Sequence, residues 1–565
     1  MRTTFLAGLA ALLIPALGLA GEYNLTVDRV QIDTGDFVKE GIGYNGESPG
    51  PVLRFKQGEE VTINVTNNLD EMTSIHWHGL ILPYQQDGVP GISFPGIKPG
   101  ETFTYRFPIQ QAGTYWFHSH SGFQEPDGAY GAIVIEPEGR EPFRYDREYV
   151  VQLTDKHPHS GDRIMRNLKM MPDYYNRQQQ TVGEFFSDAA EHGFMNTLKD
   201  RMAWGDMRMM KADVEDLQGF TALINGKGPD QNWTGIFEPG ERIRLRFINS
   251  SAMTYFDIRI PGLNMTVVQA DGNNVQPVNV DEFRIGVAET YDVIVRPRDE
   301  QAYTIFAESM GRSGYARATL APEEGMEGVV PELREPARLT MADMAGMHGM
   351  DHGSMDMSGS GDMAGMDHSG TGSMDHSDMA GMDHSNMAGM DHSGMMMSNT
   401  GASDPFYAKG SGIVPVAANG GKFLSYADLR AQDPLYEDRE PTREIELKLT
   451  GNMERYTWSI NGVKYEDADP IRLQYGERVR FKFVNETMMT HPMHLHGMPM
   501  LVTHNDGYLL DQPHMCDTLN IAPGERYDVI VDATEPGTWA FHCHILSHAE
   551  SKHGMFGMVT ALVVA

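Results

Sequence analysis

Three stretches of the chain share one alternation of apolar and polar residues. They are Gly58-Glu-Glu-Val-Thr-Ile-Asn-Val-Thr-Asn67, Gly240-Glu-Arg-Ile-Arg-Leu-Arg-Phe-Ile-Asn249 and Gly476-Glu-Arg-Val-Arg-Phe-Lys-Phe-Val-Asn485. Each opens on a turn and continues with a period of two, which predicts a half-buried strand. A second phrase follows each one: Pro99-Gly-Glu-Thr-Phe-Thr-Tyr105, Ala288-Glu-Thr-Tyr-Asp-Val-Ile-Val295 and Pro523-Gly-Glu-Arg-Tyr-Asp-Val-Ile-Val531. Three ordered pairs of phrases predict three copies of one β domain. Many short strands between Gly and Pro turns point to an all-β chain of sandwiches.

The alternation fails in two places. At the N-terminus, Arg2, an apolar run from Phe5 to Leu19 and the small-residue site Gly18-Leu19-Ala20 predict a signal peptide over 1–20. Between copies two and three, residues 341–397 repeat Met-Asp-His-Ser with Gly, Ala and Ser between, and hold sixteen of the 39 methionines. Too few bulky apolar side chains stand there for a core, so disorder is expected. The expected organisation is domain 1 over 21–140, domain 2 over 141–330, a Met/His-rich linker over 331–415 and domain 3 over 416–565.

The formal net charge of −33 argues against a nucleic-acid partner and suits cations. Two cysteines rule out a disulfide framework. Beyond the leader no stretch reaches membrane-spanning length, so no stable membrane insertion is expected.

The copies differ where chemistry would sit. Copy one carries His76-Trp-His78-Gly79 and copy three His491-Pro-Met-His494-Leu-His496-Gly497. Copy two has Tyr255-Phe-Asp-Ile-Arg259 at that place. The outer copies are expected to hold metal and the middle one to act as a spacer.

His76/His78, His118/His120, His494/His496 and His542/His544 form four His-x-His pairs on the outer copies. Residues i and i+2 of a strand share a face, so each pair aims two imidazoles at one place. Eight imidazoles suit about three ions, although imidazole alone does not separate copper from zinc or iron. In His542-Cys543-His544 the cysteine points the opposite way and can serve a second site. His491 and His548 complete a His2Cys set, which with a weak axial thioether is the blue-copper arrangement.

These motifs resemble those of the multicopper oxidase family, which includes laccases, ascorbate oxidase and bacterial copper-resistance oxidases. H-x-H-G, H-x-H, H-P-x-H-x-H and H-C-H-x-x-x-H stand in order, and the resemblance spans roughly 25–325 and 420–565. It implies three cupredoxin-like Greek-key β-sandwich domains and four copper ions per chain, with the trinuclear cluster between the first and third domains. It also implies His491, Cys543 and His548 at type 1 copper, and His76 and His494 at type 2. His78, His118, His120, His496, His542 and His544 would hold the type 3 pair.

The family's axial ligand stands ten residues after the cysteine, which here is His553. A two-residue displacement of the usual Gly-Met makes Met555 the expected axial ligand instead. Asp87 resembles the family's acidic residue near type 2 copper and is expected to relay protons. Glu550 is a second candidate, and Ala549 stands where some cuprous oxidases have a carboxylate.

Thioethers and imidazoles suit Cu(I). Residues 341–397 are therefore read as a copper-collecting arm able to bind additional copper ions. Met489 matches a substrate-copper position of bacterial cuprous oxidases, with Met488 and Glu486 beside it. Met498 and Met500, and Met202, Met207, Met209 and Met210 beside Asp206, are further thioethers near the motifs or in copy two. Cys516 is either a Cu(I) ligand or a buried thiol.

The expected activity is oxidation of Cu(I) to Cu(II) by O2 in the periplasm, in copper resistance. The alternatives are a laccase acting on phenolic substrates and a periplasmic copper store.

Overall fold

The alternating phrases form the strands they predict. The computed structural model describes residues 20–206, 210–339, 415–435, 439–452 and 455–565. Residues 1–19, where a signal peptide is expected, the stretch 340–414, and Met207 and Met209 lie outside them.

In copy one, strand Glu60–Asn67 lies between Ala20–Asp33, to which it is parallel, and Thr102–Pro108, to which it is antiparallel. A second sheet runs Leu53–Lys56, Tyr130–Glu136, Gly113–His118, His76–His78. Copy two repeats the plan, with Ile243–Asn249 parallel to Arg147–Lys156 and antiparallel to Thr290–Val295. Copy three does so with Arg478–Asn485 between Arg443–Asn452 and Arg526–Asp532. The chain is therefore three sandwiches of one topology, each closed over its own apolar interior.

The asparagine ending the first phrase explains why the phrases travel together. Asn67, Asn249 and Asn485 are fully buried, and each side-chain amide donates to two backbone carbonyls. Each backbone carbonyl accepts an N–H from the second phrase, from Gly100, Ala288 and Gly524 respectively. That position needs a positive φ, 75° at both glycines and 74° at Ala288. The Ala288 methyl packs among Trp116, Tyr130 and Ile248, which offsets the strain.

One feature of copy two was not expected. Between Arg147–Lys156 and Thr221–Ile224 stand three helices, α1 (Gly161–Met170), α2 (Val182–His192) and α3 (Phe194–Asp206). Thr181 and Glu184 form a capping box that starts α2. Ile164, Met165 and Leu168 of α1, Trp204 of α3, and Val214 and Leu217 join the core of copy three rather than that of copy two. The insertion thus covers one end of the third sandwich.

The flanks of the 340–414 stretch are packed, so the linker expected over 331–415 is shorter than its composition suggests. Ala337 and Leu339 are buried in the same core. Arg334 pairs with Asp257, Glu282 and Glu308 and donates to the Val416 carbonyl at 3.0 Å. The two ends of the stretch therefore meet at one anchored arginine. Among the described residues no helix is long and apolar enough to cross a membrane.

Candidate metal centre

The sheet registers bring the histidine pairs together. His76 faces His118 across one strand pair, and His494 faces His542 across another. The two sets meet between copies one and three, where the His78 ring stacks on His494 at 3.8 Å and the His76 ring on His496 at 3.9 Å. All eight imidazoles are buried.

Several of the outward nitrogens have partners. His76 Nδ1 lies 2.8 Å from the Asp87 carbonyl, His494 Nδ1 2.8 Å from the Asp517 carbonyl and His542 Nδ1 2.9 Å from the Cys543 carbonyl. His496 Nδ1 lies 2.9 Å from Asp87 Oδ2. Nδ1–H donation to these oxygens leaves Nε2 lone pairs facing inward. The inward Nε2 atoms of His76, His78, His118, His120, His494 and His544 are buried without a hydrogen-bond partner. His496 Nε2 and His542 Nε2 face each other at 3.0 Å. Burial, and then the neighbouring imidazoles, hold His78, His118, His494 and His496 far below the ordinary value. Neutral imidazoles with orphaned lone pairs in a dry interior fit bound cations. Four tight groups stand out: His76/His494/His496, His120/His496/His542, His78/His494 with Asp517, and His118/His544 with Glu125.

The second centre lies on the opposite face of the same strand. Cys543 Sγ is 3.5 Å from His491 Nδ1 and 3.6 Å from His548 Nδ1, and the two nitrogens are 3.3 Å apart. All three side chains are buried. Burial pushes the Cys543 thiol up, so a thiolate there needs a cation beside it. The distal nitrogens are held by Thr487 Oγ1, 2.6 Å from His491 Nε2, and by Asp216 Oδ2, 2.9 Å from His548 Nε2. Tyr456 donates to the same Asp216 oxygen at 2.6 Å, and the Trp458 ring covers His548 at 4.0 Å.

The structure adds Met558 to Met555 as a candidate axial thioether. His542 pairs with Val559, and the Cys543 N–H donates to the Met558 carbonyl at 3.1 Å. Residues opposed in antiparallel strands share a face, so the Met558 side chain lies on the Cys543 side. Met558 is fully buried in the same core, and its N–H donates to the His548 carbonyl at 2.9 Å. Met555 instead faces Glu550 across a short ribbon, and His553 stands at its tip. The extra residues after His548 are extruded as that ribbon, which spacing alone could not show.

Other expected residues fall as follows. Asp87 is buried between copies one and three, with Oδ1 3.2 Å from His76 Nδ1. Glu550 Oε2 is 3.6 Å from His120 Nδ1, and burial followed by Glu125 raises its carboxyl well above the usual range. Glu486 pairs with Lys448 at 2.8 Å, while Met488 and Met489 are buried core residues. Met498 and Met500 are buried, whereas Met202 is exposed on α3. Cys516 is buried opposite Met500.

Three carboxylates escaped the sequence reading. Glu125 Oε2 is 2.7 Å from His118 Nδ1, Asp517 Oδ1 is 3.7 Å from His78 Nδ1, and Asp216 serves His548. Glu125, five residues past His120, and Asp517, next to Cys516, stand near residues the sequence singles out, whereas Asp216 does not. A fifth His-x-His, His157-Pro-His159, stands in copy two.

Fold and site together define a copper oxidase of the multi-domain cupredoxin kind, and the chain belongs to the multicopper oxidase family. Family models for multicopper oxidases match residues 26–140, 170–324 and 438–564. Copper resistance protein A of Escherichia coli is 50% identical, with 95% of this chain and 91% of that protein covered. Copper resistance protein A of Pseudomonas syringae pv. tomato is 49% identical over 96% and 93%. Among solved structures, Fet3p, a multicopper oxidase that functions in iron import, has a TM-score of 0.66 at 19% identity, covering 96% of this chain and 90% of that one. The chain is thus a copper-dependent oxidoreductase of multicopper oxidase fold, similar throughout to copper resistance proteins.

Proposed function

We propose that the protein oxidises Cu(I) to Cu(II) at the expense of O2, as part of copper resistance outside the cytoplasm. The observation that carries this reading is the cover over His548. Asp216, Tyr456, Trp458 and α1 enclose the imidazole edge, where a bulky phenol would have to dock. An electron needs no such access, because Asp216 is bonded directly to His548 Nε2. The names of the relatives at 50% and 49% identity support copper as the substrate.

Four copper ions fit the donor sets. His491, Cys543 and His548, with Met558 as axial thioether, would hold one ion. His76 and His494 would hold a second, and His78, His118, His120, His496, His542 and His544 a pair. When bound, copper supplies one-electron redox chemistry at the first centre and four-electron reduction of O2 to water at the cluster. The chain's own part is to keep the imidazoles neutral and oriented, and to exclude bulk water. Cys543 also ties the two centres together covalently through its neighbours His542 and His544. Asp87 and Glu550 are the carboxylates proposed to pass protons inward, a role supported by their burial beside His76, His496 and His120. Residues 1–20 would direct export to the periplasm, and 341–397 would collect copper.

The test is O2 uptake by copper-loaded protein offered Cu(I) or a simple diphenol, with and without residues 341–397. Strong preference for Cu(I), weakened by the deletion, supports the reading. Faster diphenol oxidation that ignores the deletion makes the protein a laccase. Binding of many copper ions with no O2 uptake, unaffected by Cys543→Ala, makes it a store.

A further inference from the structure

A small cavity lies against the turn that carries His548. It holds about 20 Å³, room for one water-sized body and too little for an aromatic ring. Its wall includes His159, Met165 of α1, Met253 and Ser547. All three copies contribute to its wall, so no single motif announces it.

The lining includes soft donors. Met165 and Met253 offer thioethers. His159 Nδ1 lies 2.9 Å from Tyr175 Oη, which also accepts from Asn167 Nδ2 at 2.7 Å. Donation from His159 Nδ1–H to that oxygen leaves the Nε2 lone pair free, the usual outer-sphere pattern behind a metal-binding imidazole. Burial, then Arg163 and Lys39, lower the His159 imidazole below its ordinary value. His157 is only wall, because its Nδ1 already accepts the His159 N–H at 2.9 Å. The charged groups of the lining are engaged elsewhere. Lys39 pairs with Asp127 at 2.9 Å, and Asp155 accepts the N–H groups of Ala252, Met253 and Thr254. Two thioethers and one imidazole with no free carboxylate suit a monovalent soft ion and disfavour a divalent one.

The cavity is also wired to the first copper centre. Ser547 Oγ donates to Met253 Sδ at 3.2 Å, and Ser547 directly precedes His548 in the chain. Ser547 Oγ is also 2.8 Å from Tyr456 Oη, whose hydroxyl reaches the Asp216 oxygen bonded to His548.

We propose that His159, Met165 and Met253 form a binding site for the substrate Cu(I), from which its electron passes through Ser547 to the His548 centre. This rests on the Cu(I) reading above and gives its substrate a place. Each Cu(I) gives up one electron and departs as Cu(II), which thioethers hold poorly. Four such events, with four protons, convert one O2 to two waters.

The test uses crystals of the full copper-loaded chain soaked in Ag(I), a redox-inert monovalent stand-in. The site predicts an anomalous peak within bonding distance of the Met165 and Met253 sulfurs. Met165→Leu with Met253→Leu, which conserves volume, should remove that peak and raise KM for Cu(I) about tenfold. The type 1 absorption should persist as proof of folding. Silver absent from this cavity, or a KM for Cu(I) that the double variant leaves unmoved, overturns the site. Silver in the cavity of a protein that does not oxidise Cu(I) keeps the soft-metal site and removes the substrate reading instead.

Discussion

The backbone N–H of Cys543 donates to the carbonyl of Met558 at 3.1 Å, so the two residues face each other across adjacent strands. Met558 thereby joins Met555 as a candidate axial thioether. Met558→Leu should raise the potential of the copper-loaded type 1 centre and shift its absorption, because the axial ligand tunes both. Met555→Leu should leave both unchanged. Potentiometric titration of the two variants decides, and the opposite ranking would select Met555.

Asp216 reaches His548 from the helical insertion of copy two. Asp216→Asn keeps the shape but removes the charge that steadies the imidazole. Turnover with Cu(I) should fall by about 10–100-fold. The type 1 potential should rise as well, which a purely packing role for Asp216 would not produce. Steady-state O2 uptake and potentiometry on one preparation check both.

Glu125 Oε2 lies 2.7 Å from His118 Nδ1, close enough to bias that ring. Glu125→Gln should weaken copper retention at the cluster by about 10–100-fold. Copper per chain after dialysis against a chelator measures it. Full retention would mean that the Ser119 carbonyl, 3.2 Å from the same nitrogen, suffices alone.

Glu525, in the third copy's second phrase, accepts the Ala522 N–H at 2.9 Å, and burial pushes its carboxyl up to about 7. A raised value favours the folded state at low pH. Its contribution is fully present below the unfolded value of about 4.3 and is lost as pH rises through about 7. Glu525→Gln should flatten the fall in thermal midpoint between those pH values. An unchanged slope in scanning calorimetry would refute this.

The strand phrases were legible because half-buried strands need period-two alternation, whatever surrounds them. The repeated Asn and the residue that bonds to it, at 67 and 100, 249 and 288, and 485 and 524, were visible as a pattern before their hydrogen bonds were known. The helices of copy two were passed over although Ile164, Met165 and Leu168 stand at helical spacing, because that face is completed only by copy three. Glu486 illustrates the reverse failure. Its closeness in sequence to Met489 suggested a shared site, but its side chain turns to Lys448.

Sequence by itself determined the three-copy β architecture, the four His-x-His pairs and the Cys543 switch of face. All of these follow from local periodicity, which the backbone enforces within a few residues. Tertiary structure alone decided that Met558 faces Cys543, that Asp216 and Glu125 stand behind His548 and His118, and that His159, Met165 and Met253 share a cavity. Those relationships depend on strand register, on the length of an extruded ribbon and on the packing of one copy's insertion against another copy's core. None of these leaves a fixed spacing in the chain.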